Sequence, residues 1–265
     1  MNSDCVKERI LGMKVLYFTA TGNSLAVAKR IGGELISIPR AMHDGDLSFA
    51  DDAVGLVFPV YACSIPPLVG EFLGKAEIRA GYLFAVGTYG MTKGAAMREA
   101  AAVAMRRGLS FDYVNGVLML DNCIPLFDME AQMRGLPKKH VDDQIESIVR
   151  DVGERRRFLQ KPSLFDYAAT AALSLAWKAV KALRPEALFR VDDGCTGCGM
   201  CARVCPTGSV SVGDRVEFRR GCCFCQACVH ACPEHAIHIF MERGSRRWRN
   251  PAVSLREIME SNDVT

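Results

Sequence analysis

Lys14 to Gly33, KVLYFTATGNSLAVAKRIGG, decides the fold. KVLYFT (Lys14 to Thr19) is a short apolar run that reads as a buried strand. A glycine-containing turn follows, and SLAVAKRIGG is then amphipathic at helical spacing and ends in two glycines. The alternation continues outward along the chain. ELISI (Glu34 to Ile38), AVGLVFPV (Ala53 to Val60), GYLFAVGTYG (Gly81 to Gly90) and FDYVNGVLML (Phe111 to Leu120) predict strands two to five. A helix is predicted over Gly94 to Arg107, and KKHVDDQIESIVRDVGERRRFL (Lys138 to Leu159) predicts a closing one. Five strands alternating with helices predict an α/β domain over residues 13–160, a doubly wound five-stranded parallel sheet covered on both faces. Met13 is an equally good start for this unit, so residues 1–12 read as an N-terminal extension.

The 265 residues exceed one average domain of about 150. With 49% apolar and 24% charged residues the chain is globular in composition, which excludes disorder and collagen-like repeats. No stretch reaches the ~18 consecutive apolar residues of a membrane helix. The longest candidate, Tyr167 to Trp177, is short and Ala-rich, and Lys178 follows it. No apolar segment before a small-residue cleavage site opens the sequence, so a cytoplasmic protein is expected. Residues 161–189 read as a helical connector.

Twelve cysteines are the anomaly, and nine lie between Cys195 and Cys232. In a reducing compartment such crowding points to metal rather than to disulfides. Cys195, Cys198, Cys201 and Cys205, then Pro206, form C-x2-C-x2-C-x3-C-P; Cys222, Cys225, Cys228 and Cys232, then Pro233, repeat it 27 positions on. This is the run of bacterial two-cluster ferredoxins. Three thiolates two residues apart let one loop wrap three irons of a cubane, and the fourth cysteine reaches the other cluster. One [4Fe-4S] cluster then takes Cys195, Cys198, Cys201 and Cys232, and the other Cys222, Cys225, Cys228 and Cys205. Structural zinc instead uses two separated C-x2-C pairs. The repeat predicts a small pseudo-twofold domain over residues 190–241, stabilised by its clusters. Cys223 reads as a packed bystander, and His230 and His235 as surface residues. With each oxidised cluster and its ligands at roughly −2, the formal charge of +3 becomes about −1. The positive sum is therefore no argument for a nucleic-acid partner, and none is expected.

TATGNS (Thr19 to Ser24) supplies hydroxyls, a permissive glycine and free amides at a helix N-terminus, an anion nest suited to phosphate. Neither a G-K-[ST] nor a G-x-G-x-x-G pattern is present there. In an open α/β sheet, ligands bind beyond the strand C-termini at the switch point. The loop resembles T-x-T-G-N-[ST] of the flavodoxin family. Together with the doubled cysteine run, the chain resembles the flavodoxin–ferredoxin fusion electron-transfer proteins of anaerobes, over about residues 13–160 and 190–240. The resemblance implies a flavodoxin-like sheet and FMN held by Thr19, Thr21, Gly22, Asn23 and Ser24. It also implies two flanking loops, PVYACSIPP with Tyr61 and Ala62, and GTYGMTKG with Gly87, Thr88, Tyr89 and Gly90. Tyr61 and Tyr89 are its stacking candidates, and Asn122 of LDNCIPLFD its flavin-edge residue. Cys63 and Cys123 face the same region and read as small packing residues. Few carboxylates occur in these loops, unlike the acidic surround of ordinary flavodoxins.

Arg243, Arg246, Arg247 and Arg249 around Trp248 read as part of a solvated basic and polar tail over residues 242–265, with docking of an acidic redox partner as the functional alternative. No HExxH or G-x-S-x-G motif and no nicotinamide fingerprint occurs. The expected function is electron transfer matching one-electron clusters to one- or two-electron flavin chemistry, with a ferredoxin or oxidoreductase as redox partner. The alternatives are an FMN-dependent reductase of a small-molecule electron acceptor (a quinone, nitro or azo compound) and a redox sensor or cluster carrier. A homodimer is compatible with all three.

Overall fold

A computed structural model describes residues 12–182 and 184–264. The expected extension lies outside the described residues except for Gly12. The α/β unit runs β1 (Met13–Tyr17), α1 (Asn23–Ile31), β2 (Glu34–Ser37), α2 (Ile38–Asp44), β3 (Ser48–Pro59), α3 (Pro67–Lys75), β4 (Glu77–Tyr89), α4 (Ala96–Arg106), β5 (Tyr113–Leu118), α5 (Met129–Gly135), α6 (Val141–Gly153) and β6 (Phe158–Leu159). All its strand pairs are parallel, in the order β2-β1-β3-β4-β5-β6. The first five strands have the flavodoxin-like order, with the switch point between β1 and β3.

Residues 138–159, expected as one helix, are divided. A 3-10 turn (Leu136–Lys139) precedes α6, and Arg155 takes φ 55 just after it. The chain then adds β6 to the sheet edge, so the sheet has six strands rather than five; Phe158 N–H donates to Asp112 O, and Gln160 N–H to Val114 O. Two apolar layers cover the sheet. One joins Val15, Tyr17, Val57, Phe84 and Val117 to α1 and α6; the other joins Leu16, Phe18, Leu56, Phe58 and Ala85 to α3 and α4. The apolar strands are thus buried on both faces, as a parallel sheet requires. In mid-sheet, Gly55 of β3 faces Phe84 of β4, whose ring lies where a Cβ would stand.

After α7 (Leu164–Ala182) comes the cysteine unit: β7 (Phe189–Val191), α8 (Met200–Arg203), β8 (Val210–Val212), β9 (Val216–Phe218), α9 (Ala227–Ala231) and β10 (Ile237–Ile239). The 27-residue shift carries β7 onto β9 and β8 onto β10. The two copies interlock, since β7 pairs antiparallel with β10, and β8 with β9. Left-handed backbone recurs at the same shift. Gly197 (φ 70), Gly199 (φ 78) and Gly208 (φ 60) correspond to Phe224 (φ 57), Gln226 (φ 60) and His235 (φ 53).

The segment expected as a solvated tail is folded. Trp248 and Arg247 are buried, and a last helix, α10 (Leu255–Asn262), starts at a Ser254–Glu257 capping box. Val204, Val229, Ile237, Trp248, Val253 and Ile258 share one apolar cluster with α1 and α6, so the small unit packs on that face of the sheet. Polar contacts fix the junction. Tyr17 OH is 2.7 Å from Ser261 Oγ, Lys29 Nζ donates to Glu257 (2.7 Å), and Asn262 Nδ2 donates to Thr19 O (2.9 Å) and Val204 O (3.3 Å). Asn262 is fully buried. Asn262→Ala leaves both carbonyls without that donor, and each buried orphan costs about 1–3 kcal/mol. The expected outcome is a lower urea midpoint for the whole chain with little change in slope, read by far-UV circular dichroism.

Candidate functional site: a cleft walled by both units

The β1–α1 turn carries the phosphate-loop candidates. Gly22 caps α1 from φ 99, and no side chain caps the helix, whose first turn therefore keeps N–H groups for a ligand. Thr19 Oγ1 accepts from Gly22 N–H (3.1 Å), and Ser24 Oγ lies 2.9 Å from Thr88 Oγ1 of β4. The hydroxyls of Thr19, Thr21 and Ser24 belong to buried residues that nonetheless line a cavity of about 400 Å³. That volume is within the range of small-molecule pockets, ~300–1,000 Å³.

Of the sequence-selected residues, Thr19, Thr21, Asn23, Ser24, Tyr61, Ala62, Thr88, Tyr89, Gly90 and Asn122 line this cleft. Gly22 and Gly87 are not in its lining. A Cβ on Gly22 would press on Asn250 and Val253 at 3.1 Å, and one on Gly87 would meet Met97 at 2.4 Å, so both serve close packing. Tyr89 packs its ring over Gly116 of β5. Tyr61 meets Phe18 edge-on, with centroids 6.1 Å apart, and its hydroxyl is buried without a hydrogen-bond partner among the described residues. Asn122 turns back to the loop, its Nδ2 donating to Thr21 Oγ1. Lys139 Nζ pins the two later loops by donating to Gly90 O (2.7 Å) and Met119 O (2.6 Å), and burial lowers its pKa. Burial also raises the pKa of Asp121 beside it.

The rest of the cleft was not legible locally, because other segments supply it. Leu173 comes from the connector helix, Leu188 from the segment before β7, Phe224, Cys225 and Gln226 from the second cysteine run, and Phe240 and Met241 from the turn after β10. Gln226 bridges the units: its Oε1 accepts from Ile124 N–H (3.0 Å) and its Nε2 donates to Cys123 Sγ (3.5 Å). His230, expected at the surface, is buried. Its Nδ1 accepts from Trp248 N–H (3.1 Å), which leaves Nε2 as the donor to Asn122 O (2.9 Å). His235 is exposed, as expected.

The cysteines gather in two sets. Cys195, Cys198, Cys201 and Cys232 line one cavity at the surface, where Cys198 is exposed. Cys222, Cys225, Cys228 and Cys205 form the other, deeper set, with Cys228 influenced electrostatically by the other three. Among the described residues no group of three or more His, Cys, Asp or Glu converges on a single-ion site. Burial pushes the Cys201 thiol up to about 11 and the Cys222 thiol up to about 12. Ser209 N–H donates to Cys205 Sγ (3.2 Å) and Phe224 N–H to Cys222 Sγ (3.4 Å), so amides are already turned toward sulfur. Thiols gathered in fours, with amides aimed at two of the deeper set, fit an iron–sulfur cluster, whose iron would deprotonate its ligands. Cys223 is buried and hydrogen-bonded to Cys225.

Arg247, expected in the solvated tail, instead donates to Ile237 O and Glu242, both at 3.2 Å, while Arg246 and Arg249 are exposed. Among the described residues no helix is long and apolar enough to cross a membrane.

Residues 190–211 match the family model of the 4Fe-4S binding domain. No curated protein matches the chain in sequence. Among solved structures, the two-electron reduced flavodoxin of Megasphaera elsdenii is similar at 16% identity, over 39% of this chain and 84% of its own, with a TM-score of 0.30. The flavodoxin of Fusobacterium nucleatum bound to flavin mononucleotide is 13% identical, over 52% of this chain and 97% of its own, with a TM-score of 0.30. The Trp repressor binding protein of Bacillus subtilis is 11% identical, over 57% and 99%, with a TM-score of 0.34. Strand order and the matched cysteine motif together give a flavodoxin-like α/β unit and a 4Fe-4S binding motif in one chain. The chain thus joins a unit with flavodoxin-like strand order to one that carries the 4Fe-4S binding motif.

At the end of the small sheet, His238 Nδ1 is 2.6 Å from Glu242 and its Nε2 2.8 Å from Asp192. Hydrogen bonds to Glu242 and then Asp192 raise its pKa above 6.5, against burial and Arg190. Its folded pKa lies above its unfolded one, so this contribution is complete below pH 6.5 and fades as pH rises through the folded value. Urea midpoints of the wild-type chain are expected to fall across that window relative to those of His238→Gln.

Proposed function

We propose that the chain is an electron-transfer iron–sulfur flavoprotein with FMN in the cleft and two [4Fe-4S] clusters on the doubled cysteine run. One observation carries this reading: Phe224, Cys225 and Gln226 line the same cleft as the phosphate-type loop, so the second cysteine run is itself part of the cleft. When bound, FMN supplies one- or two-electron chemistry and the clusters one-electron steps. The chain's own residues then have separate tasks. Thr19, Thr21, Asn23, Ser24 and the open N-terminus of α1 take the phosphate, and Lys139 sets the spacing of the ring-flanking loops. Cys195, Cys198, Cys201 and Cys232 hold a cluster at the surface, within reach of a redox partner protein such as a ferredoxin or oxidoreductase. Cys222, Cys225, Cys228 and Cys205 hold one against the cleft, away from water.

A second reading, an FMN-dependent reductase of a quinone-like acceptor, is favoured by the cleft's mouth. Met91, Leu126, Phe240 and Met241 are 54–66% exposed there, an apolar rim suited to a flat apolar molecule. Rapid reoxidation of the reduced protein by a soluble quinone, abolished by Phe240→Asp, separates this from pure electron transfer.

The main reading is tested by the anaerobic absorption spectrum, with iron, sulfide and acid-released flavin counted on one sample. About eight irons and one FMN per chain are expected. Ser24→Ala is expected to weaken FMN binding roughly tenfold or more, as the loss of a hydrogen bond near a charged phosphate does, at unchanged iron content. Full iron with no flavin uptake from added FMN refutes the cleft assignment, and about four irons refutes the second cluster.

A further inference from the structure

The phenol of Tyr61 is among the buried polar groups left without a hydrogen-bond partner among the described residues, and it lies at the cleft. A short turn holds it rigidly. Tyr61 N–H donates to Ser64 O (3.0 Å) and Ser64 N–H to Tyr61 O (2.9 Å), while Ala62 (φ 48) and Cys63 (φ 64) between them are both left-handed. Two consecutive non-glycine residues in that region are a strain that persists only where the surroundings fix it. The ring is locked edge-on to Phe18, and its hydroxyl is sealed from solvent with no acceptor among the described residues. A buried tyrosine hydroxyl normally finds a partner. This one packs with the second cysteine run: Tyr61, Cys223 and Cys225 belong to one apolar cluster, and Tyr61 and Cys225 line the same cleft. Burial holds the phenol protonated by raising its pKa, and the charges of Cys225, Cys223, Cys123 and Cys222 raise it further.

A neutral thiol is a weak acceptor, whereas a metal-bound thiolate is a charged and much stronger one. We propose that Tyr61 is a positioning residue that donates its phenol hydrogen bond to the sulfur shell of the Cys222–Cys225–Cys228–Cys205 cluster and so raises that cluster's reduction potential. The inference rests on the two-cluster reading above. It gives Tyr61 a different task from the stacking expected from sequence: the hydroxyl faces the cluster while the rest of the residue lines the cleft. A donor to sulfur favours the more negative, reduced state. The cluster nearest the cleft is thereby made a better electron acceptor than it would be without this bond.

The test is an anaerobic redox titration of the full, loaded chain, followed by electron paramagnetic resonance, on wild type and Tyr61→Phe. The wild-type iron and flavin count tests the underlying reading first, independently of any variant. In Tyr61→Phe, iron and flavin contents are expected to hold. One cluster's reduction equilibrium is expected to fall by about tenfold, or 59 mV for a one-electron couple, while the other's stays. Incorporation of 3-fluorotyrosine at position 61, a stronger donor of nearly the same size, is expected to shift the same cluster the opposite way. This decides the matter even if Tyr61→Phe fails to load. Unchanged cluster potentials in the loaded variants overturn the inference, and so does a change confined to the flavin, which would make Tyr61 a flavin contact only.

Discussion

The docking of the second cysteine run on the loop after β5 is the contact on which the rest of the molecule depends. Gln226 satisfies Ile124 N–H and reaches Cys123 Sγ, and His230, held by Trp248 N–H, donates to Asn122 O. Asn122 in turn reaches Thr21 in the phosphate-type loop. A continuous series of hydrogen bonds thus runs from the cysteine helix α9 through Asn122 to the loop before α1. Each link is buried or partly buried, so its loss would expose no water to replace it and would leave a polar group orphaned. The two units therefore act as one body, and the separation between the cleft and the deeper cysteine set is fixed by packing rather than by a linker.

The repeat is symmetric in backbone but not in side chains. Copy one uses Gly197, Gly199 and Gly208 where the chain must turn left-handed, the residue for which that region is cheap. Copy two places Phe224, Gln226 and His235 in the same conformation, at a cost glycine would avoid. Two of these three have a visible return. Phe224 forms the cleft wall and packs edge-on to Phe189, and Gln226 docks the units. The copy that bears these side chains is the one that faces the cleft; the copy with glycines faces outward, where Cys198 is exposed. The structure gives no account of His235, which is exposed.

How much of this was legible in the sequence follows from how local each signal is. The cysteine spacing is a local code, and the strands of the sheet interior are continuous apolar runs, so both could be read directly. The edge strand β6 could not, because Phe158 and Leu159 pair with β5 over a gap of more than forty residues and carry no alternating pattern. Helix α2 had a signal, the Ser37 cap with Pro39 at the helix start, but only seven residues of length. The last 24 residues read as a solvated tail because Arg247, Asn250 and Asn262 are polar. Their side-chain partners, Ile237 O, Asn23 Oδ1 and Thr19 O, lie outside the segment, and polarity alone does not reveal a satisfied buried group. The same reason hid half the cleft, whose walls come from several separate stretches.

The C-terminal segment also links the two sites energetically. Asn250 N–H donates to Thr21 O (2.8 Å), and Asn262 joins Thr19 O to Val204 O, the residue before Cys205. One amide side chain thus steadies both the floor of the phosphate-type loop and the backbone that presents a thiol of the deeper set. Whatever binds only the folded form at either place stabilises the same body. Occupying either place would therefore stabilise the other through Asn262. The coupling requires no moving part. It follows from burying Asn262 between two backbone segments, each of which belongs to a different site.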